Sequence, residues 1–315
     1  MNRTKWLSCA MLFLMMALGM SYAQMAAGSN RPVSVPPDYV ITPFGYFHPA
    51  CVREIKQGQT VLGDGRIRFK DGSEETVAPS CAFPRYMPNG EIAVAGGPLF
   101  ISWTWIEAGQ VSTTSSYGKI KATWTVPLTP KSNDGQTLFF FPGFMDIDDT
   151  ELIIQPVLGW NDGQVGVGPW NIASWNCCPG GTANYSTPVT VNSGDKILGT
   201  IKSACKAGVQ DCGKWNITTK DVTTNKSTTL SNTPSEGQIF NWAQSGVLEV
   251  YSIAKCSDFP PYHYIKFTEV ALYDYNFKKI VDPGWTAMYW VTKGVTDPWC
   301  GYKAKTAPKK VTLLY

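Results

Sequence analysis

The chain predicts an all-β protein, an antiparallel double-sheet sandwich of the jelly-roll kind with a small β-unit ahead of it, and three observations carry that prediction. From about residue 91 onward, β-prone runs of strand length follow one another with Gly, Pro, Asn or Asp between them. Beyond the first residues, no long window repeats apolar positions at i, i+3 and i+4, the spacing a helix needs to bury one face. Charged residues make up only 16% of the chain and aromatics 13%, with 12 Trp, which suits a wide sandwich whose exposed face is Ser, Thr, Asn and Gly. No internal repeat suggests a propeller or solenoid.

In chain order, Arg3 and Lys5 precede an apolar run from Ala10 to Met20, and Ser21-Tyr22-Ala23 offers small residues for cleavage after Ala23. The run is shorter than the roughly 20 residues a spanning helix needs, so residues 1–23 are expected to be a signal peptide. The mature protein is then secreted, extracellular or periplasmic, and free of the membrane. Residues 24–41, rich in Ala, Gly, Ser and Pro, are expected to be flexible. Residues 42–90 form the small β-unit, in which Thr60-Val61-Leu62 and Arg66-Ile67-Arg68-Phe69 flank a hairpin turn, Gly63-Asp64-Gly65. Pro84, Pro88, Asn89 and Gly90 mark its end, and His48 is expected to pack within it.

Residues 91–315 are assigned to the sandwich. Its strands include Ile120–Val126, Thr137–Phe141, Leu152–Leu158, Trp170–Trp175, Lys196–Ile201, Trp215–Thr219, Val247–Tyr251 and Ile265–Ala271. Ser193-Gly194-Asp195 reads as a turn feeding one of them.

Nine cysteines are present, and Cys9 leaves with the leader. The even set that remains is Cys51, Cys81, Cys177, Cys178, Cys205, Cys212, Cys256 and Cys300, which an oxidising compartment turns into disulfides. Cys51 with Cys81 and Cys205 with Cys212 are the local pairings expected; sequence does not resolve the rest. Zinc is disfavoured because no paired Cys-x-x-Cys occurs and only His48 and His263 could assist. No metal or cofactor is expected. The net charge of +3 comes without a basic cluster, so nucleic acid is not expected as a partner, and a monomer is. Sequons begin at Asn184, Asn216 and Asn225.

The same inventory excludes several chemistries. There is no Gly-x-Ser-x-Gly elbow, no His-Glu-x-x-His and no Gly-rich phosphate loop, so hydrolysis would fall to carboxylates, amides or hydroxyls. Two polar residues interrupt apolar strands: Gln155 in Ile153-Ile154-Gln155-Pro156-Val157-Leu158, and Glu249 in Val247-Leu248-Glu249-Val250-Tyr251. Side chains alternate along a strand, so each points to the face opposite its apolar neighbours. A solvated outer face would produce the same alternation.

Together these two runs resemble the eqolisins, the glutamic peptidases, which carry a Gln in one apolar strand and a Glu in a later one. In order along residues 104 to 275, Ala122-Thr123-Trp124-Thr125-Val126-Pro127, Phe140-Phe141-Pro142-Gly143-Phe144, Ala173-Ser174-Trp175 and Val191-Asn192-Ser193-Gly194-Asp195 are similar to further family segments. Departures include Phe141 where the family has Trp, Pro156 after Gln155 and Val250 after Glu249. The resemblance implies a secreted acid endopeptidase acting on polypeptides, with Gln155 and Glu249 holding a water and Phe141, Trp160 and Trp175 as side walls. In a peptidase, residues 42–86, by their position ahead of the resemblance, would be either a pro-segment over the groove or a permanently attached structural subdomain. Neprosin-like relatives use two glutamates, for which Glu151, Glu249 and Glu269 are the pool. Rival readings are a non-catalytic concanavalin-like module that binds carbohydrate or cell-wall polymer, and a two-carboxylate glycosidase.

Overall fold

The computed structural model describes residues 31–76, 81–93, 105–150, 152–162, 169–290 and 299–315. The signal peptide and Glu151 lie outside them. Strands in chain order are β1 (Val40–Thr42), β2 (Gly45–Phe47), β3 (Val52–Ile55), β4 (Thr60–Val61), β5 (Ile67–Arg68), β6 (Trp105–Val111), β7 (Tyr117–Thr125), β8 (Thr137–Met145), β9 (Ile153–Trp160) and β10 (Trp170–Cys177). They continue with β11 (Ala183–Ser186), β12 (Val189–Thr190), β13 (Lys196–Ser203), β14 (Lys214–Asp221), β15 (Ser227–Pro234), β16 (Trp242–Tyr251), β17 (Tyr264–Asp274), β18 (Thr286–Trp290), β19 (Lys303–Ala307) and β20 (Lys310–Leu314). Among the described residues there is no α-helix.

Two sheets face each other. A nine-stranded sheet runs β18-β6-β16-β8-β9-β10-β11-β3, with β12 also on β10, and a seven-stranded sheet runs β15-β14-β13-β7-β17-β20-β19. The predicted strands take their expected places, and every ladder in the two sheets is antiparallel except β11 with β3. That parallel pair sews the N-terminal unit onto the edge of the nine-stranded sheet.

The core between the sheets is apolar and rich in aromatics. Ile106, Leu138, Phe140, Ile154, Leu158, Ile172 and Leu248 come from the large sheet, and Ile120, Trp124, Ile197, Ile217, Phe267 and Leu313 from the small one. Fully burying a side chain of this kind contributes about 1.5–3 kcal/mol. Pro156, unusual in a central strand because it cannot donate to the ladder, points into this core. A Cβ on Gly199 would lie 2.6 Å from its ring, so the facing strand makes room with a glycine.

The outer face of the large sheet is buried too, under the N-terminal unit. Val35, Tyr39, Val40, Phe44, Tyr46 and Phe47 pack against Trp105, Phe139, Phe141, Ile153, Val157, Trp175 and Tyr251. Residues 31–41 therefore differ from the flexible segment expected: Val35 and Tyr39 are buried, and Arg31 donates to the carbonyls of Pro36 (3.0 Å) and Tyr39 (2.7 Å). Composition misled because a Pro-rich stretch with few apolar residues can still dock when a ready apolar face lies beneath it. Within the unit, Gly63-Asp64-Gly65 turns β4 into β5 as predicted, and His48 stacks on Phe83 with ring centroids 3.6 Å apart.

All eight cysteines pair. Cys51–Cys81 and Cys205–Cys212 match the local expectation; Cys256–Cys300 and the adjacent Cys177–Cys178 complete the set. The sequon at Asn184 is closed, since that side chain is buried and donates to Thr182 Oγ1 at 3.1 Å.

Candidate active site

Gln155 sits on β9 opposite Trp175 of β10, and Glu249 on β16 opposite Trp105 of β6 and Phe139 of β8. Strand alternation sends Ile154, Leu158 and Leu248 into the sandwich core, and Gln155 and Glu249 to the outer face. Neither is solvated there, because both are 0% exposed. The alternation that normally yields a wet face here yields a covered one.

The cover reaches into the site with the hairpin of β1 and β2, whose two-residue turn is Pro43-Phe44. The Gln155 Nε2 donates to the Pro43 carbonyl at 2.6 Å. The backbone N–H of Gly45 donates to the Tyr251 hydroxyl at 2.7 Å, and that hydroxyl donates to Glu249 Oε1 at 2.5 Å. One stretch of backbone is thus held at its carbonyl by the carboxamide and at its amide by a tyrosine bonded to the carboxyl. Gly45 is required in this turn: its φ is +114°, and a Cβ would lie 2.6 Å from the Tyr86 carbonyl. Arg85, from the same unit, lies with its guanidinium 4.5 Å from the centre of the Phe44 ring.

Burial dominates the electrostatics. It pushes the Glu249 carboxyl up to about 8, against smaller lowering effects from the Tyr251 hydrogen bond and the Arg85 charge. Among the described residues Glu249 Oε2 and Gln155 Oε1 have no hydrogen-bond partner. Buried polar atoms left unpaired are uncommon in folded proteins, and a buried carboxyl whose proton affinity is strongly raised marks a candidate functional site.

Of the expected side walls, Phe141 and Trp175 lie on this face, Phe141 meeting Trp105 edge-on at 5.7 Å and Trp175 stacking on Tyr185 at 4.8 Å. Trp160 does not. It points into the sandwich core against Trp170, 5.1 Å between ring centroids, because its parity along β9 is that of Ile154 and Leu158. Glu269 is also remote, accepting from Thr123 Oγ1 at 2.9 Å on the other sheet.

Sequence reading missed three groups of the outer face. Tyr251 lies two residues beyond Glu249 on the same side. Glu107 on β6 is fully buried, with its carboxyl pushed up to about 8 by burial, and Gln244 on β16 is fully buried with Oε1 unpaired among the described residues. The signal that finds Gln155 and Glu249, a polar residue in an apolar run, also marks Glu107 in Trp105-Ile106-Glu107-Ala108.

No family model matches the chain, and no curated protein matches it. Solved structures similar to it include Scytalido-glutamic peptidase with a peptide-based transition state analog, at 15% identity and a TM-score of 0.48, over 68% of this chain and 98% of that one. SCP-B, a member of the eqolisin family of peptidases in complex with the tripeptide Ala-Ile-His, is similar at 16% identity, a TM-score of 0.46, and 68% and 98% coverage. Aspergilloglutamic peptidase from Aspergillus niger is similar at 17% identity and a TM-score of 0.40, over 57% of this chain and 98% of that one.

Proposed function

We propose that this chain is a secreted endopeptidase of the glutamic type, with Gln155 and Glu249 as its working pair and the N-terminal unit as a pro-segment over the groove. The observation that carries the reading is the clamped backbone: the Gln155 amide on the Pro43 carbonyl, and Tyr251 with Glu249 on the Gly45 amide. Groups that grip a peptide carbonyl and a nearby amide N–H suit a peptide substrate better than a sugar. The ordered segments resembling the eqolisins point the same way.

In the reaction the cover has left and water has entered, which removes the burial that raises the Glu249 carboxyl and returns it toward the ordinary carboxylate range. Its carboxylate then accepts a proton from water as the water oxygen attacks the peptide carbonyl carbon. The Gln155 N–H donates to the oxyanion that forms. Glu249 then returns its proton to the leaving nitrogen as the C–N bond breaks, giving a carboxylic acid and an amine. General acid–base work of this kind contributes about 10²–10⁴ in rate, and one oxyanion donor about 2.7–4 kcal/mol.

The test is to incubate the purified protein with a denatured protein across acidic pH, beside Glu249→Gln and Gln155→Ala. Cleavage in wild type that is lost in Glu249→Gln is expected; cleavage surviving that change ends the assignment. N-terminal sequencing after incubation in acid tests the pro-segment. A start beyond about residue 90 is expected, and a start that stays near Gln24 removes the idea.

A glycosidase on the same scaffold is the second reading, because Glu107 and Glu249 lie on one face of adjacent strands. The backbone positions of such diagonal neighbours stand about 7–8 Å apart, so both side chains rise from one patch of the sheet, as two catalytic carboxyls must. Hydrolysis of a cell-wall polysaccharide, lost equally in Glu107→Gln and Glu249→Gln, would favour it.

A further inference from the structure

Glu107 is the buried carboxyl that the proposed peptide hydrolysis leaves unused. It stands on β6 opposite Val247 of β16 and Met288 of β18. Its Oε2 accepts from the Trp105 indole N–H at 2.7 Å. Its Oε1 faces a second indole, that of Trp242: a Cβ on Gly109 would lie 2.7 Å from Glu107 Oε1 and 2.8 Å from Trp242 Nε1. Glycine at 109 is what lets carboxyl and indole settle together on the sheet.

Trp105 is the direct cross-strand partner of Glu249. Opposite residues of an antiparallel pair hold their Cβ atoms about 4.5–5.5 Å apart, so the Trp105 and Glu249 side chains rise from adjoining positions on the covered face. Among the described residues, the charged and titratable groups acting on the Glu249 carboxyl are Tyr251 on its own strand and Arg85 from the cover. β8 contributes only Phe139 opposite it, and β6 contributes Trp105, with Glu107 behind.

We infer that Glu107 is a positioning residue, holding the Trp105 indole against Glu249 and so setting the proton affinity of that carboxyl. The inference rests on the reading of Glu249 as the group that moves the proton. Once the Glu107 acceptor is removed, the indole N–H must find another. It can turn to Glu249 Oε2, which has no partner among the described residues, or it can let water in. A new donor and a wetter site both favour the charged carboxylate, so both lower the pH at which Glu249 gives up its proton.

The experiment follows the protonated carboxyl band of Glu249 by infrared difference spectroscopy on the full chain, the band being assigned by its loss in Glu249→Gln. Glu107→Leu is expected to lower the titration midpoint by about one pH unit. Trp105→Phe is expected to do the same, with no further shift when the two are combined. Glu107→Gln keeps an acceptor oxygen and is expected to titrate with the wild type. An unmoved midpoint in Glu107→Leu and Trp105→Phe overturns the inference, as does a Glu107→Gln shift equal to that of Glu107→Leu. If Glu107→Leu does not fold, Trp105→Phe against Glu107→Gln still decides it. The band is read without turnover, so a lack of peptide hydrolysis would count against the role of Glu249 and not against this coupling.

Discussion

The two faces of the large sheet are equally buried and chemically unlike. Toward the second sheet, polar side chains find partners across the gap: Ser174 Oγ lies 3.0 Å from Thr219 Oγ1, and the Asn176 amide donates to Thr233 Oγ1 at 2.6 Å and to the Pro234 carbonyl at 2.8 Å. Toward the N-terminal unit, Glu107, Gln155, Gln244 and Glu249 are all fully buried, and each keeps one oxygen unpaired among the described residues. A face built only for stability would replace such groups with hydrocarbon, since an unpaired buried polar atom costs about 1–3 kcal/mol. Inner-face atoms such as Asn176 Oδ1 and the Trp124, Trp160 and Trp170 indole N–H groups also lack partners among the described residues. The contrast therefore lies in the kind of group: the outer face holds two buried carboxyls, the costlier groups to bury, where a peptide backbone is held.

Adjacent residues of β16 give the largest contrast. Glu249→Gln is expected to cut hydrolysis of a denatured protein by about 10²–10⁴ while leaving the denaturation midpoint at neutral pH unchanged or higher. Leu248→Ala, on the inner face against Phe140, is expected to cost about 2–5 kcal/mol in denaturant unfolding while sparing the activity of whatever remains folded. If both substitutions act on stability alone, the outer face is merely a second core. Next in size, Gln155→Ala is expected to lower kcat by about 10²–10³. A change confined to KM would make Gln155 a binding group only.

Stability against pH sharpens the contrast further. The Glu107 and Glu249 carboxyls, raised from 4.5 to about 8, bind protons more tightly folded than unfolded. Their contribution is complete below about 4.5 and is lost as pH climbs through about 8, so urea midpoints are expected to fall over that window. Glu107→Gln should flatten the fall, and an unchanged slope would show that Glu107 does not titrate there. The smallest effect is expected at the turn. Gly45→Ala, strained at φ +114°, should cost the hairpin about 1–3 kcal/mol and hasten its release, seen as earlier cleavage of substrate after acidification.

Much of the architecture was legible because strand periodicity is local. Gly63-Asp64-Gly65 turned where turn chemistry requires, and Cys51 with Cys81 and Cys205 with Cys212 paired as neighbours in cysteine order, 30 and 7 residues apart. Gln155 and Glu249 stood out because a polar residue breaks an apolar run, and alternation alone placed them on the second face. The same alternation would have excluded Trp160 from that face, since its parity along β9 is that of Ile154. Glu107 and Gln244 carried the same kind of mark, and only their meeting on one surface distinguishes them from ordinary polar positions.

By itself, then, the sequence determined the strands, their facing and the short-range Cys205–Cys212 cystine, since each depends on neighbours within a few residues. Tertiary structure alone decided that the outer face is covered, that Pro43 and Gly45 lie between Gln155 and Glu249, and that Trp105 stands across from Glu249. These are contacts between residues far apart in the chain, such as Gly45 with Tyr251, 206 positions away. No local pattern encodes them; they follow from which apolar surfaces remain to be buried once the sheets have formed.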